Sequence, residues 1–179
     1  MATIDLIVLG MLKKESLSAY DLQKLVDERY ISKWVRISTP SIYKKVLQLE
    51  EKGLIQGVPV REGKLAEKVV YSLTDAGQQE FERLMLAISA EPIRIYLDFN
   101  AVIVNLPSLP PEQQSACLAE IAGNITAQKA YMEDNLRKKE TMPEVPEAGM
   151  TVLRQQILLA EAIENWITSM TEVSGNKTE

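Results

Sequence analysis

The chain has 179 residues, of which 46% are hydrophobic and 25% are charged, as in folded globular proteins. It contains no histidine and a single cysteine, which excludes a disulfide framework, a zinc site of Cys and His ligands, and histidine-based catalytic machinery. No pair of carboxylates stands out as a catalytic site, so we expect a protein that is not an enzyme and holds no metal or cofactor.

The net charge of −5 is distributed unevenly along the chain. Residues 1–77 contain 12 Lys and Arg against 10 Asp and Glu, whereas residues 78–179 contain 8 against 15. A locally basic segment at 33–68 followed by an acidic remainder favours a DNA-binding domain with a separate assembly domain. We therefore expect a DNA-binding domain at 1–77, a helical dimerisation and effector domain at 78–173, and a frayed tail at 174–179.

The first predicted helix, Thr3 to Lys14, has apolar residues on nearly every side, which indicates burial by its own domain and by a partner chain. It lacks the basic start and the small-residue cleavage site of a signal peptide. No apolar run of the chain reaches the roughly 18 residues that a membrane span needs. These features predict a cytoplasmic protein with no membrane contact.

Two further helices are predicted before residue 55. Ser18 is a suitable N-cap for a helix that ends near Arg29, and Tyr20 is expected mainly in the core, with its hydroxyl near DNA as the alternative. Thr39 is the predicted N-cap of the third helix, with Pro40 at its first position and Gly53 after its end. One apolar stripe runs along this third helix, formed by Ile42, Val46 and Leu49.

The segments Ile55 to Val60 and Glu67 to Leu73 favour β-structure and predict a hairpin with a charged tip. Thr74 is a suitable cap for a fourth helix that reaches about Ala90. Three helices followed by a two-stranded hairpin predict a mainly α fold, with an N-terminal winged helix-turn-helix and an all-α C-terminal domain.

The second half of the chain is predicted to be helical. Helices are expected from Pro92 to Val104, from Pro110 to about Glu140, and from about residue 150 to 173. The last helix has two neighbouring apolar rows, 153/157/160/163/167/170 and 152/159/166/173. Together they form a surface wider than a single partner helix can cover. We therefore predict a homodimer with these contact residues: Ile4, Ile7, Val8, Val152, Leu159, Ile163, Trp166 and Met170.

Several segments, in order and spacing, resemble the signature of the PadR family of transcriptional regulators. They are Leu9-Gly10-Met11-Leu12, Ser18-Ala19-Tyr20-Asp21-Leu22, Ser41-Ile42-Tyr43, Leu49-Glu50-Glu51-Lys52-Gly53-Leu54-Ile55 and Tyr71-Ser72-Leu73-Thr74-Asp75-Ala76-Gly77. The resemblance implies a dimeric repressor and a small-molecule effector that releases DNA. The chain departs from the family at Lys44-Lys45, where Pro-Ala is common, at Ala19, where Gly is common, and in a less basic second strand of the wing.

The resemblance implies that the third helix enters the major groove of a palindromic DNA site. In that position Gln48 reaches a base edge, the lysines meet phosphates, and Tyr43 either meets a phosphate or packs beside Leu47. The hydroxyls at the helix start would meet backbone phosphate. The predicted DNA contacts are Thr39, Ser41, Tyr43, Lys44, Lys45, Gln48, Arg61, Lys64 and Lys68.

Two alternatives stay open at this point. The chain could be a winged-helix protein-interaction module without DNA binding, which its overall acidity favours, or a small-molecule sensor whose DNA binding is vestigial. The Tyr, Phe, Trp and Met residues of 93–170 predict an aromatic or otherwise apolar effector in the helical half. Trp166 is expected in the dimer interface, with stacking against a flat ligand as the alternative.

Overall fold

The computed structural model describes residues 2–61, 68–142 and 145–175, with side chains as far as Thr171. It contains two compact units, Met1–Ile93 and Arg94–Glu179. The helix after residue 74 therefore belongs to the first unit, whereas the boundary expected at residue 77 assigns it to the second. No helix in the described ranges is both long and apolar enough to cross a membrane.

The first unit is a winged helix, as the sequence predicts. Its elements are α1 (Ala2–Leu12), β1 (Leu17–Ser18), α2 (Ala19–Glu28), a short 3₁₀ turn (Ile31–Lys33), α3 (Ser41–Glu51), β2 (Ile55–Val60), β3 (Lys68–Leu73) and α4 (Asp75–Ser89). The strands form an antiparallel sheet in the order β1-β3-β2, with Leu17 opposite Tyr71 and Val58 opposite Val70. The two-residue strand β1 is not predicted, since so short a strand shows no alternating pattern.

Helix α1 lies in the centre of the first unit, against α3, α4 and β3. Its apolar residues pack with those of α2, α3 and β2, and Val8 and Leu9 are fully buried. The predicted dimer contacts Ile4 and Val8 are wrong, because their own chain already buries them to 8% and 0% exposure. Ile7 is half-buried and stays available to a partner.

Ser18 caps α2, as predicted. Its hydroxyl accepts a hydrogen bond from the backbone N–H of Asp21 (3.2 Å) and donates one to the Asp21 carboxylate (2.7 Å). The same carboxylate accepts from the Ser18 backbone N–H (3.4 Å), which completes a capping box. These hydrogen bonds, and the charges of Lys68 and Lys24, lower the pKa of Asp21. The carboxylate is therefore held ionised at the N-terminus of α2, where the helix dipole favours a negative charge.

The start of α4 is bonded to the segment that follows α3. Thr74 accepts a hydrogen bond from the Gly77 N–H (3.0 Å), and its hydroxyl lies 2.8 Å from the Gly53 carbonyl oxygen and 3.0 Å from that of Leu54. A Cβ atom at residue 77 would lie 1.9 Å from the Leu54 oxygen, so only glycine fits there. These contacts make α4 part of the first unit.

The second unit consists of α5 (Asn100–Asn105), a 3₁₀ turn (Leu106–Ser108), α6 (Pro111–Glu140) and α7 (Glu147–Gly175). Of the helix predicted from Pro92 to Val104, only the last five residues are helical, as part of α5. Ile93 and Tyr96 are 92% and 78% exposed, so the segment before α5 lacks the tertiary packing that stabilises a short helix.

Helices α6 and α7 pack against each other in antiparallel orientation. Leu118 and Ile167 share one buried cluster, and midway along the pair Glu164 accepts hydrogen bonds from Lys129 (2.5 Å) and Thr126 (2.6 Å). These bonds lower the pKa of Glu164, and the same carboxylate raises the pKa of Lys129. The pair is therefore ionised at neutral pH and links the two helices.

The two apolar rows of α7 have different environments, as the sequence predicts. Ala160 and Ile167 of the first row are buried at 3% and 1% exposure, whereas Leu159 and Trp166 of the second are 39% and 38% exposed. The side chain of Val173, in the second row, lies outside the described residues. One row is thus covered within the chain, and the other faces outward.

Candidate nucleic-acid interface and small-molecule cavity

Helix α3 presents two opposite faces. Ile42, Val46 and Leu49 are buried to 1% exposure or less, which fixes the helix against the core. The outer face carries Tyr43 (59% exposed), Leu47 (45%), the exposed Lys44 and the half-buried Gln48. An outward helix face with a cation, an amide and an aromatic side chain suits contact with phosphates and base edges in a major groove.

Lys45 does not belong to this outer face. Its ammonium lies 2.7 Å from a carboxylate oxygen of Asp5 in α1, and the two side chains are only 11% and 16% exposed. We therefore remove Lys45 from the predicted phosphate contacts. Since the flank of α3 that carries Lys45 packs on α1, an ion pair inside the protein neutralises its charge.

The start of α3 also differs from the prediction. The Thr39 hydroxyl donates to an Asp27 carboxylate oxygen of α2 (2.9 Å) instead of capping α3, and Pro40 precedes the helix. The Ser41 hydroxyl donates to the Ser38 carbonyl oxygen. Both hydroxyl protons are used within the chain, so neither side chain can donate to a phosphate in this conformation.

Two tyrosines lie at exposed positions of α2 and α3. Tyr20 is 73% exposed, so its predicted place in the core is wrong. Burial raises the pKa of Tyr71, and the charge of Glu50 and the neighbouring Tyr43 raise it further. The 59% exposure of Tyr43 favours the alternative in which its hydroxyl reaches a phosphate. A side chain in the first turn of a helix can face the core or solvent, and the spacing of apolar residues does not decide between these two orientations for Tyr20 and Tyr43.

The wing contributes two described cations. Arg61 follows β2 and is exposed, and Lys68 begins β3, where it is exposed and lowers the pKa of Asp21 at the start of α2. The predicted contact Lys64 lies outside the described residues. Within the described ranges no group of three or more Cys, Asp or Glu side chains is placed to hold a metal ion.

The second unit contains a cavity of about 680 Å³ between α6, α7 and the segment before α5. Phe99 and Trp166 stack in its wall, with ring centroids 6.0 Å apart and planes inclined by 27°. The alternative in which Trp166 stacks against a flat ligand fits this position, whereas no pattern in the sequence predicts the polar residues of the wall. The lining residues are Ile95, Tyr96, Leu97, Asp98, Phe99, Asn100, Ile121, Asn124, Ile125, Gln128, Met132, Gln156, Leu159, Ala160, Ala162, Ile163 and Trp166.

Comparison with known sequences supports the resemblance in the first unit. Residues 8–83 match the model of the transcriptional regulator PadR-like family. The negative transcriptional regulator PadR of Bacillus subtilis (strain 168) is 32% identical over 80 residues. That match spans 45% of this chain and 43% of the relative, less than half the length of either.

Comparison with solved structures extends the likeness to both units. The crystal structure of Bacillus subtilis PadR in complex with operator DNA has a TM-score of 0.81 and 21% identity, and covers 96% of this chain and 99% of that one. PadR from the same organism in complex with p-coumaric acid has a TM-score of 0.79 and 20% identity, over 96% and 95%. At these identities the likeness establishes the fold.

Proposed function

We propose that the chain acts as a transcriptional regulator of the PadR-like family, whose model residues 8–83 match. In this proposal a cytoplasmic homodimer binds a palindromic duplex through α3 and the wing and represses transcription. An aromatic or apolar small molecule in the cavity of the second unit releases it. Like its relatives the chain has a regulatory role, not a catalytic one.

The outer face of α3 carries the proposal. In a winged helix this is the element that enters the major groove, and here it exposes Lys44 and Tyr43 while its opposite face is buried. The structural relative holds operator DNA with the same fold. Lys44 and Tyr43 are the proposed phosphate contacts and Gln48 the proposed base contact, with Arg61, Lys64 and Lys68 as wing contacts.

The proposed dimer rests on the outward row of α7, with Val152, Leu159 and Trp166, and on the neighbouring Ile163 and Met170. Leu159, Ile163 and Trp166 also line the cavity, so in the proposed dimer the partner chain lies beside the effector cavity. Soluble monomers rarely expose a continuous apolar stripe of this kind. Two-fold symmetry would place two α3 helices about 34 Å apart, the spacing of successive major grooves on one face of DNA.

A titration of duplex binding against salt tests the proposal. Anisotropy with a fluorescent palindromic duplex should show log affinity that falls linearly with log salt concentration. Lys44→Ala should weaken binding to every sequence and flatten the slope by about 1 per half-site. Gln48→Ala should cost about 1–3 kcal/mol on the preferred site and little elsewhere.

Lys138→Ala in α6, which removes the same charge from the second unit, is the matched control and should leave the slope unchanged. If no duplex binds at any salt concentration, the proposal fails and the protein-interaction module becomes the better explanation. A promoter–reporter assay with and without the chain determines the sign of regulation.

A further inference from the structure

The polar groups in the wall of the second unit's cavity are either neutral or negatively charged. Its described lining contains one carboxylate, Asp98, and four amides, Asn100, Asn124, Gln128 and Gln156. No Lys or Arg belongs to that described lining, and the remaining side chains are apolar apart from the Tyr96 hydroxyl and the Trp166 N–H. The wall can therefore donate and accept neutral hydrogen bonds, and the one formal charge among its described residues is negative.

The cations on the helices beside the cavity are already paired. Lys129 is bound by Glu164 at 2.5 Å, and Arg154 lies 2.7 Å from Glu147 and 3.8 Å from Glu140. Residues 94–179 together contain 7 Lys and Arg against 12 Asp and Glu. A ligand carboxylate in this cavity would meet Asp98 with no Lys or Arg in the described lining to compensate it, and an unpaired charge loses its hydration at a cost.

The stacked rings of Phe99 and Trp166 also favour a positively charged ligand over a negatively charged one. The face of an aromatic ring carries negative charge density, and Trp attracts cations most strongly. A flat ring can pack in the wall while a cationic or hydrogen-bonding group faces Asp98 and the amides.

We propose that this cavity selects neutral or cationic aromatic molecules over aromatic carboxylates, with Asp98 as the residue that sets the charge preference. The inference rests on the proposed function, in which this unit binds the effector. It assigns a ligand class opposite in charge to the p-coumaric acid held by the structural relative.

A matched set of three ligands tests the preference by calorimetry on the full chain without DNA. The ligands are 3-(4-hydroxyphenyl)propanoic acid, its amide and 3-(4-hydroxyphenyl)propylamine, which share one ring and differ in charge at pH 7.5. Exchanging a ligand carboxylate for an ammonium about 6 Å from Asp98 in a water-like dielectric replaces repulsion by attraction and changes affinity by about tenfold. We expect the amine to bind at least about tenfold more tightly than the acid, the amide to lie between, and added salt to narrow the difference.

Two carboxylate-to-amide variants assign the preference. Asp98→Asn should weaken amine binding, strengthen acid binding and leave amide binding nearly unchanged. Asp134→Asn makes the same change on α6, where Asp134 pairs with Lys138 at 2.6 Å outside the cavity wall, and should keep the wild-type order. Trp166→Ala should weaken all three ligands.

Three results would overturn the inference: an acid that binds as tightly as the amine, a preference that Asp98→Asn leaves intact, or no binding by any of the three. Duplex binding by the ligand-free chain is measured separately. The regulator proposal can therefore stand when the charge preference fails, and a chain that binds amine but no duplex contradicts only the regulator proposal.

Discussion

Lys44 and Lys45 are neighbours in the sequence with different environments in the fold. One residue advances a helix by about 100°, which takes Lys44 to solvent and Lys45 to the flank that packs on α1. A basic pair that reads as two DNA contacts thus contains one outward cation and one internal ion pair. The charge available to DNA on α3 is smaller than the sequence suggests.

Lys45→Met separates these two roles. The variant should leave the salt slope of duplex binding unchanged, because Lys45 contributes no phosphate contact. It should lower the free energy of unfolding by about 2 kcal/mol, since Asp5 is left as a largely buried, unpaired carboxylate. Urea unfolding and the salt titration measure the two effects.

The double variant Asp5→Leu/Lys45→Met should recover most of the lost stability, because an apolar pair removes the unpaired charge. A slope that Lys45→Met flattens as much as Lys44→Ala does would return Lys45 to the DNA contacts. The sequence places Ile42, Val46 and Leu49 in the core from their spacing alone. It cannot place Lys45, whose partner lies forty positions earlier in another helix.

Among the elements, the start of α4 is the most constrained junction. Thr74 and Gly77 bring α4 into contact with the backbone at Leu54. The end of α3, the start of β2 and the start of α4 are therefore held together at this junction. This geometry needs both a hydroxyl and a residue without Cβ. The first is recognisable in the sequence as a cap, whereas the second is visible only in the structure.

Gly77→Ala should lower the free energy of unfolding by about 3 kcal/mol, because the added methyl group overlaps a backbone oxygen that cannot move independently. Gly123→Ala is the matched control. Gly123 lies within α6 with nothing near its Cβ position, so alanine should raise stability by about 0.5–1 kcal/mol. Chemical denaturation of both variants gives the comparison, and equal effects would contradict the assigned contact.

The elements that the sequence predicts well have strong local signals. The caps Ser18 and Thr74, Gly53 at positive φ after α3, and Pro111 at the start of α6 all mark boundaries close to the observed ones. The elements it misses depend on distant partners. Strand β1 exists because β3 pairs with it, and the segment before α5 stays non-helical while Ile93, Ile95 and Tyr96 remain largely exposed.

At the scale of the whole molecule, the outward row of α7 determines the proposed assembly. Leu159→Glu should convert the dimer to a monomer at micromolar concentration, because each chain then places an unpaired charge in the proposed dimer interface. Operator affinity should fall as the two half-sites become independent. Gln155→Glu, at an exposed position one turn earlier, is the matched control and should remain dimeric.

Light scattering on the ligand-free chain measures the assembly directly. A Leu159→Glu chain that stays dimeric, or a wild-type chain that is monomeric at the same concentration, would contradict the proposed dimer interface. The apolar rows of α7 are readable from the sequence. That α6 covers the row with Ala160 and Ile167 becomes clear only from the packed pair.

The central place of α1 has a consequence for synthesis of the chain. The residues of β3 and α4 that cover one side of α1 follow it by about seventy positions in the chain, so that side of the helix stays uncovered until the first unit is nearly complete. At roughly 5–20 residues per second this delay lasts on the order of 4–15 seconds. During that interval the apolar side of α1 that β3 and α4 later cover is exposed on the nascent chain, and binding by a chaperone would protect it from aggregation until α4 is made.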